Sequence, residues 1–199
     1  MVGRERLMAR AAAGGANVSA ELADRLLAYF ELLSLWSRRI NLTAFDLSSP
    51  TDEAIDRLLV EPVAAASLVR AADRRVLDIG SGGGSPAIPL LLATSGIEMT
   101  LVEVRAKKSA FLREVVRTLG LAATVEVVRV EALAVSQAVA QFDMVTFRAV
   151  RADAVLWRAV DLLLAPAGRI LWFGGIGQTI ENCHSIVGTN GTTVAVERK

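Results

Sequence analysis

The 199-residue chain has one cysteine, one histidine, five prolines and only 5% aromatic residues. A lone thiol, Cys183, excludes a disulfide framework, and a lone imidazole, His184, speaks against a His-built metal site or a Ser-His-Asp hydrolase; no metal is expected. Long apolar runs are missing too. The richest stretch, Ala159 to Ile176, is broken by Asp161, Pro166 and Arg169, short of the roughly 18 uninterrupted residues of a membrane span. Met1 to Arg10 is charged rather than apolar, so no secretory signal is read there and the cytoplasm is the expected compartment. Charge of one sign is absent as well: 22 Lys plus Arg against 21 Asp plus Glu leave a net charge of +1, which argues against indiscriminate polyanion binding. Neither DNA nor a membrane is expected as a partner. Lysine is scarce, with 19 arginines among the 22 cations, a bias read mainly as compositional. What remains is a chain 53% hydrophobic, ample for one buried core and expected to be a monomer.

Residues 1–18 show no apolar period and read as a frayed lead-in. From Ser19, placed to cap, Leu22, Leu26, Tyr29 or Phe30, Leu33, Trp36 and Ile40 recur at 3.6-residue spacing and predict an amphipathic helix ending at Arg38-Arg39. A second helix is predicted with Ser49 as cap, Pro50 at its first position and a kink or restart at Pro62. Residues 1–72 are thus an N-terminal helical extension. After Asp73 the texture changes. Arg75–Ile79, Met99–Glu103, Thr124–Val130, Phe142–Phe147, Arg169–Phe173 and Thr192–Val196 read as strands, alternating with helices over Pro86–Thr94, Ala106–Leu119 and Asp153–Leu164. Residues 73–199 are one α/β unit, a doubly wound Rossmann-like domain with a mostly parallel sheet. The Gly188–Gly191 turn adds a hairpin and hence an antiparallel edge strand.

The most informative stretch is Val76-Leu77-Asp78-Ile79-Gly80-Ser81-Gly82-Gly83-Gly84-Ser85-Pro86, a strand running through glycines into a helix. Such glycines let the chain turn at positive φ and let a ligand approach without a Cβ in the way. Glu103 ends the second strand, 23 residues after Gly80, where an acid binds ribose hydroxyls in both dinucleotide and S-adenosylmethionine sites. The run Gly82 to Ala87 also satisfies the dinucleotide GxGxxA pattern. Asp78 inside the first strand and Glu131 after the third, able to reach an adenine edge, favour S-adenosylmethionine, as does the lack of a hydride-transfer cluster downstream.

Several motifs in order then resemble one family. Asn41-Leu42-Thr43, Asp78 to Gly84 with Pro86 and Ile88-Pro89-Leu90, Lys107-Lys108 with Phe111-Leu112, and Arg148-Ala149-Val150 look like the RsmG (GidB) methyltransferases. The resemblance runs from about residue 20 to the end. It implies a methyltransferase fold with a seven-stranded, mostly parallel sheet, and S-adenosylmethionine-dependent methylation of guanine N7 in 16S ribosomal RNA, with the 30S subunit as the setting. Carried over residue by residue, it implies cofactor contacts at Gly80, Ser85, Val130, Glu131 and Arg148, with Glu103 on the ribose. Together with Asp78, Gly82 and Gly84 of the loop, these are the candidate cofactor-binding residues. The chain departs from the family at Ser85 (usually bulky and apolar) and at Ala87 (usually Gly). The family's Arg-His-x-x-Asp-Ser reads Asp56-Arg57-Leu58-Leu59-Val60-Glu61, and its Lys-Gly after the fifth strand reads Gly174-Gly175.

The acceptor is narrowed by what is missing. Cytosine C5 methylation needs a cysteine nucleophile, and Cys183 lies in the late hairpin. Exocyclic amines usually meet an Asp/Asn-Pro-Pro-aromatic loop, where this chain has Thr146-Phe147-Arg148-Ala149. Guanine N7 carries a free lone pair and needs no base. Arg148 is the candidate catalytic residue, orienting the methionine carboxylate or the guanine, against the plainer reading of a strand-end cap. Arg38-Arg39 and Arg105-Lys107-Lys108 are candidate phosphate contacts. Three alternatives stay open: methylation of another RNA or small molecule, a nicotinamide-dependent oxidoreductase, and a non-catalytic ribosome-binding factor. Trp36, Trp157 and Trp172 read as core.

Overall fold

In a computed structural model, which describes residues 2–136, 141–151, 153–174, 183–187 and 193–198, the first residues are no loose lead-in: Arg4–Ala13 forms helix α1. Its cause is tertiary. Leu7 and Ala11, one turn apart, are each 1% exposed. The guanidiniums of Arg4, Arg6 and Arg10 pair with Asp24, Asp52 and Asp56 of later helices. An apolar-period reading does not register partners so far along the chain.

Helix α2 (Ala20–Ser37) starts where expected, with Ser19 Oγ accepting the Leu22 N–H at 3.1 Å. The next helical run comprises α3 (Asp52–Ile55), a π turn (Asp56–Val60), α4 (Glu61–Ala65) and a 3₁₀ turn (Ala66–Leu68). Its cap is Thr51, not Ser49: Thr51 Oγ1 accepts the Ala54 N–H at 3.2 Å. Pro62 sits in the first turn of α4, directly after the π turn, where the helix restarts without needing its N–H.

Among the described residues seven strands follow: β1 (Arg75–Ile79), β2 (Glu98–Val102), β3 (Ala123–Glu126), β4 (Phe142–Arg148), β5 (Leu164–Phe173), β6 (Cys183–Val187) and β7 (Thr193–Arg198). Helices α5 (Ala87–Ala93), α6 (Ala106–Leu119), α7 (Val130–Ser136) and α8 (Ala154–Leu163) connect the first five. The sheet order is β3-β2-β1-β4-β5-β7-β6, with the first five strands parallel. β7 runs antiparallel to both neighbours, so the odd strand lies one place in from the edge and β6 is the edge. The Gly188–Gly191 turn expected between them, like Gly175, lies outside the described residues. One strand was read too long: β3 stops at Glu126, and Val130 and Glu131 open α7 instead.

Period-2 alternation assigns the core to two faces. Val76, Met99, Met144, Leu171 and Phe173 share one apolar cluster with α1, α2, α5 and α6. Their chain neighbours Leu77, Val145, Ile170 and Trp172 share the other with α7 and α8. Central parallel strands covered on both sides therefore read as continuous apolar runs. Phe111 and Phe147, each fully buried, contribute about 1.5–3 kcal/mol apiece. Of the tryptophans read as core, Trp172 is buried, while Trp36 and Trp157 are half-buried and pack against the core: Trp157 meets Trp172 edge-on at 5.7 Å, and Trp36 packs on Phe111 at 5.8 Å. No helix among the described residues is long and apolar enough to cross a membrane.

Strand order reverses between β1 and β4, and the carboxyl ends of β1, β2 and β4 converge there. In open α/β sheets this is where ligands bind.

Candidate functional site

The chain leaves β1 in a turn tied to its neighbour: the N–H groups of Gly80 and Ser81 both donate to the Val102 carbonyl, at 2.9 and 3.0 Å. Gly80, Gly82 and Gly84 all have positive φ (71°, 52° and 87°), which side-chain-bearing residues rarely adopt. Gly83 is needed for space: a Cβ there would stand 2.7 Å from the Leu42 carbonyl oxygen. The Leu42 segment and the glycine turn face each other across a crevice of about 710 Å³, bounded also by Glu103, Lys108, Arg57 and Arg148.

Glu103 follows β2 and is 6% exposed. Its Oε2 accepts the Gly82 N–H at 3.1 Å and its Oε1 the Arg105 N–H at 2.8 Å, so the carboxylate is fixed at the crevice wall. Asp78 lies beneath the turn rather than in the crevice lining. It is 1% exposed; Oδ1 accepts from Thr146 Oγ1 at 2.6 Å, while Oδ2 is buried with no partner among the described residues. Burial pushes its carboxyl up to about 6, against the opposing pull of Thr146, Ser81 and Arg148.

Arg148 ends β4 with a side chain 10% exposed. Nη1 donates to the Arg57 carbonyl at 2.5 Å and to Ser85 Oγ at 3.1 Å, and Nη2 to Glu61 Oε2 at 2.8 Å. Its guanidinium lies 4.9 Å from the centroid of the Phe173 ring. Only Nε, also buried, lacks a partner among the described residues. Burial and the like charge of Arg57 lower its pKa to about 10, with Glu61 opposing, so it stays cationic at neutral pH.

Of the candidate residues, the structure brings Gly80, Gly82, Ser85, Glu103 and Arg148 to the crevice wall, with Gly84 in the same turn and Asp78 under it. Val130 (buried) and Glu131 (half-buried) sit in the first turn of α7, outside the crevice lining. Two residues escaped the sequence reading. Tyr29, taken as one more apolar position of α2, donates from its hydroxyl to the Gly83 carbonyl at 2.7 Å, and burial raises its pKa far above the usual phenol value. Glu61 is a buried carboxylate bracketed by Arg57 and Arg148. A clue to it was available, namely a carboxylate inside the apolar run Leu58-Leu59-Val60-Glu61-Pro62-Val63.

Residues 22–185 match the family model GidB, described as rRNA small subunit methyltransferase G. A ribosomal RNA small subunit methyltransferase G of Stenotrophomonas maltophilia is 39% identical over 161 residues, covering 80% of this chain and 72% of that one. That of Neisseria gonorrhoeae is 39% identical over 160 residues, covering 78% and 73%. This chain belongs to the GidB family. An SAH-bound methyltransferase of Podospora anserina shares the fold, with a TM-score of 0.61 at 15% identity over 88% of this chain and 87% of the other.

Where the chain departs from the GidB pattern, the structure shows what stands instead. In the stretch 56–61, Arg57 Nη1 donates to both oxygens of Glu61, at 3.0 and 2.8 Å, an i, i+4 ion pair on one helix face. Ser85 Oγ donates to the Leu58 carbonyl at 2.9 Å and accepts from Arg148 at 3.1 Å, so its hydroxyl joins the network. Ala87 is fully buried at the start of α5. At Gly174 the space a side chain would take is bordered by Arg57 Nη2, 3.1 Å from a Cβ placed there.

Proposed function

We propose that this protein methylates N7 of a guanine in 16S ribosomal RNA, using S-adenosylmethionine, as a cytoplasmic monomer acting on the 30S subunit. The observation that carries the reading is a pair of buried groups of opposite charge beside the glycine turn, Asp78 Oδ2 and Arg148 Nε, neither with a partner among the described residues. Buried polar atoms are rarely left unpaired, and each exception asks for an explanation. The zwitterionic amino-acid end of S-adenosylmethionine matches both charges, its ammonium suiting Asp78 and its carboxylate Arg148. Gly80 to Gly84 give the backbone cradle, and Glu103 offers an acceptor for ribose hydroxyls. Val130 and Glu131 open α7 outside the crevice lining and are read as further cofactor contacts, Glu131 toward the purine edge. The residues present therefore fit the donor.

When bound, the donor supplies a sulfonium-activated methyl group, displaced in line by a nucleophile with a neutral thioether leaving. The protein's work is alignment, worth up to roughly 7–11 kcal/mol of barrier when geometry is right. Glu103 is the one carboxylate among the described residues lining the crevice, and both its oxygens already accept backbone N–H bonds. Tyr29 is buried and held protonated. A site so poor in bases suits guanine N7, whose lone pair attacks without losing a proton; the positive charge moves from sulfur to the imidazole ring.

The RNA side is supported by charge. Arg38 and Arg39 line a groove of about 500 Å³ that shares Thr43 and Phe45 with the crevice wall, and Arg105 and Lys108 line the crevice itself. Residues 1–72 supply one wall of this entrance. These cations, without an ion-pair partner among the described residues, suit RNA phosphates, while a splayed loop base enters.

The test is transfer of a labelled methyl group to 30S subunits and to naked 16S RNA from cells lacking the protein, with the label mapped by cleavage at N7-methylguanine. Label at one guanine is expected. Label in neither substrate, or only in small metabolites, removes the ribosomal reading; binding of 30S subunits with no transfer at saturating donor would favour a non-catalytic factor.

A further inference from the structure

Arg57 holds a position that the methylation reading alone does not use. It lies in the π turn, at the wall shared by the crevice and a second cavity of about 730 Å³ formed with α1. Its side chain is 34% exposed, against 10% for Arg148 behind it. Both guanidiniums converge on the one carboxylate of Glu61: Arg57 Nη1 at 2.8 Å and Arg148 Nη2 at 2.8 Å from Oε2. Among the described residues this cluster therefore holds two cations and one anion at the crevice wall. Asp78 also acts on the buried Arg148 from beneath, so the fork left to meet an incoming anion is that of the more exposed Arg57.

The donors for that anion are specific. Arg57 spends Nη1 on Glu61, while Nε and Nη2 have no hydrogen-bond partner among the described residues. Nη2 borders Gly174, whose φ of +92° and missing Cβ leave that side of the fork uncovered by the described residues: a Cβ at 174 would stand only 3.1 Å from it. The other arginine in the wall of the second cavity, Arg10, is already answered by Asp52 and Asp56. Arg57 alone in this wall is both pinned at one end and open at the other. A planar guanidinium held by a carboxylate and presenting two N–H groups is suited to the paired oxygens of a phosphodiester.

We infer that Arg57 is a substrate-binding residue whose Nε and Nη2 grip a backbone phosphate of the RNA next to the guanine entering the crevice, with Glu61 as the positioning residue that aims it. This inference rests on the RNA reading above. It places the contact on the outer arginine of the pair and leaves the inner one, Arg148, to the donor.

The experiment compares wild type with Arg57→Ala and Arg57→Gln in methyl-transfer kinetics on 16S RNA at several salt concentrations, alongside calorimetry with S-adenosylmethionine. The glutamine variant keeps a hydrogen bond to Glu61 without the charge, so it reports even if alanine fails to fold. The expected result is a rise in KM for RNA of about tenfold, the size of one charge-assisted contact. The slope of log KM against log salt should fall by about 0.7, one phosphate's worth for a single strand. Donor affinity should stay at the wild-type value. An unchanged salt slope overturns the inference. So does weakened donor binding with an unchanged KM for RNA, which would place the cofactor's carboxylate on Arg57. Failure of wild type to label RNA at all would instead remove the reading of function, which is a separate outcome.

Discussion

Where α1 packs on the later helices, all three of its arginines meet carboxylates: Arg4 with Asp24, Arg6 with Asp52, and Arg10 with Asp56 and Asp52. Around the crevice and its adjoining groove, Arg38, Arg39, Arg105 and Lys108 have no ion-pair partner among the described residues. The net charge of +1 hides this division. Arginine abundance alone carries little information about partners, whereas the pairing state of each arginine does. Cations matched inside the protein hold helices together, and cations left unmatched beside a cleft remain free to meet phosphate. The Arg57–Glu61–Arg148 cluster lies between these extremes, paired but not neutral.

The largest effect is expected where the pairing is most buried. Glu61→Ala leaves the guanidinium of Arg148 in a 10% exposed site without its anion and frees Arg57 as well. Removing one partner of a buried pair costs about 3–5 kcal/mol, read as a lower urea midpoint at unchanged m-value. Methyl transfer should fall at least a hundredfold, because both forks lose their aim. A loss of unfolding free energy under about 1 kcal/mol would mean that Glu61 is not the keystone of the cluster.

Next in size is the orphaned carboxylate. The folded pKa of Asp78 is raised to about 6 from 3.8, so the native state binds its proton more tightly than the unfolded chain does. Stability from this group is thus full below about pH 4 and is lost as pH rises through 6, a change on the order of 1–3 kcal/mol. Asp78→Asn keeps an acceptor for Thr146 but abolishes the titration. The variant is expected to be more stable than wild type at pH 7.5, to lose the pH 4–6 slope, and to bind S-adenosylmethionine at least tenfold more weakly by calorimetry. Stabilisation without loss of donor affinity would detach Asp78 from the site.

How far the sequence shows all this depends on how local each signal is. Arg75–Ile79 and Ala106–Leu119 were found to the residue. An apolar run ends at a glycine in one case, and in the other a helical stripe ends at Gly120, with φ of 58°. Glu103 was readable from its distance to Gly80, because a βαβ unit fixes that spacing. Helix α1 was not, since its warrant is ion pairing to residues up to 46 positions away. Nor was α7 (Val130–Ser136), which at about two turns is too short to show an apolar period and whose first residue was read as the end of the third strand. The same limit hid the centre of the site. Tyr29 and Gly83 are 54 positions apart, and Glu61 and Arg148 are 87. Nothing periodic joins them; only the fold brings a helix before the sheet over the ends of β1 and β4. Arg148 could be singled out by motif, but that its fork is committed to Glu61, Ser85 and the Arg57 carbonyl could not.

The smallest expected effects are also the sharpest test of the division between matched and unmatched cations. Reversing Arg38 and Arg39 together to glutamate touches no ion pair among the described residues, so the melting temperature should hold within a degree or two. KM for RNA should nonetheless rise several-fold, and the salt dependence should flatten as phosphate contacts are lost. Reversing Arg4 does the opposite: it breaks the contact with Asp24 in the open, at 54% and 52% side-chain exposure, where ion pairs are worth little. Melting should drop slightly and KM for RNA should not move, because Arg4 lines neither the crevice nor the Arg38–Arg39 groove. The two variants change charge in the same direction, so long-range attraction alone predicts that they weaken RNA binding in proportion to charge. Local contact predicts that only the first does. Equal weakening per charge removed would show that the protein's total field, not the placement of its unpaired cations, draws the substrate in.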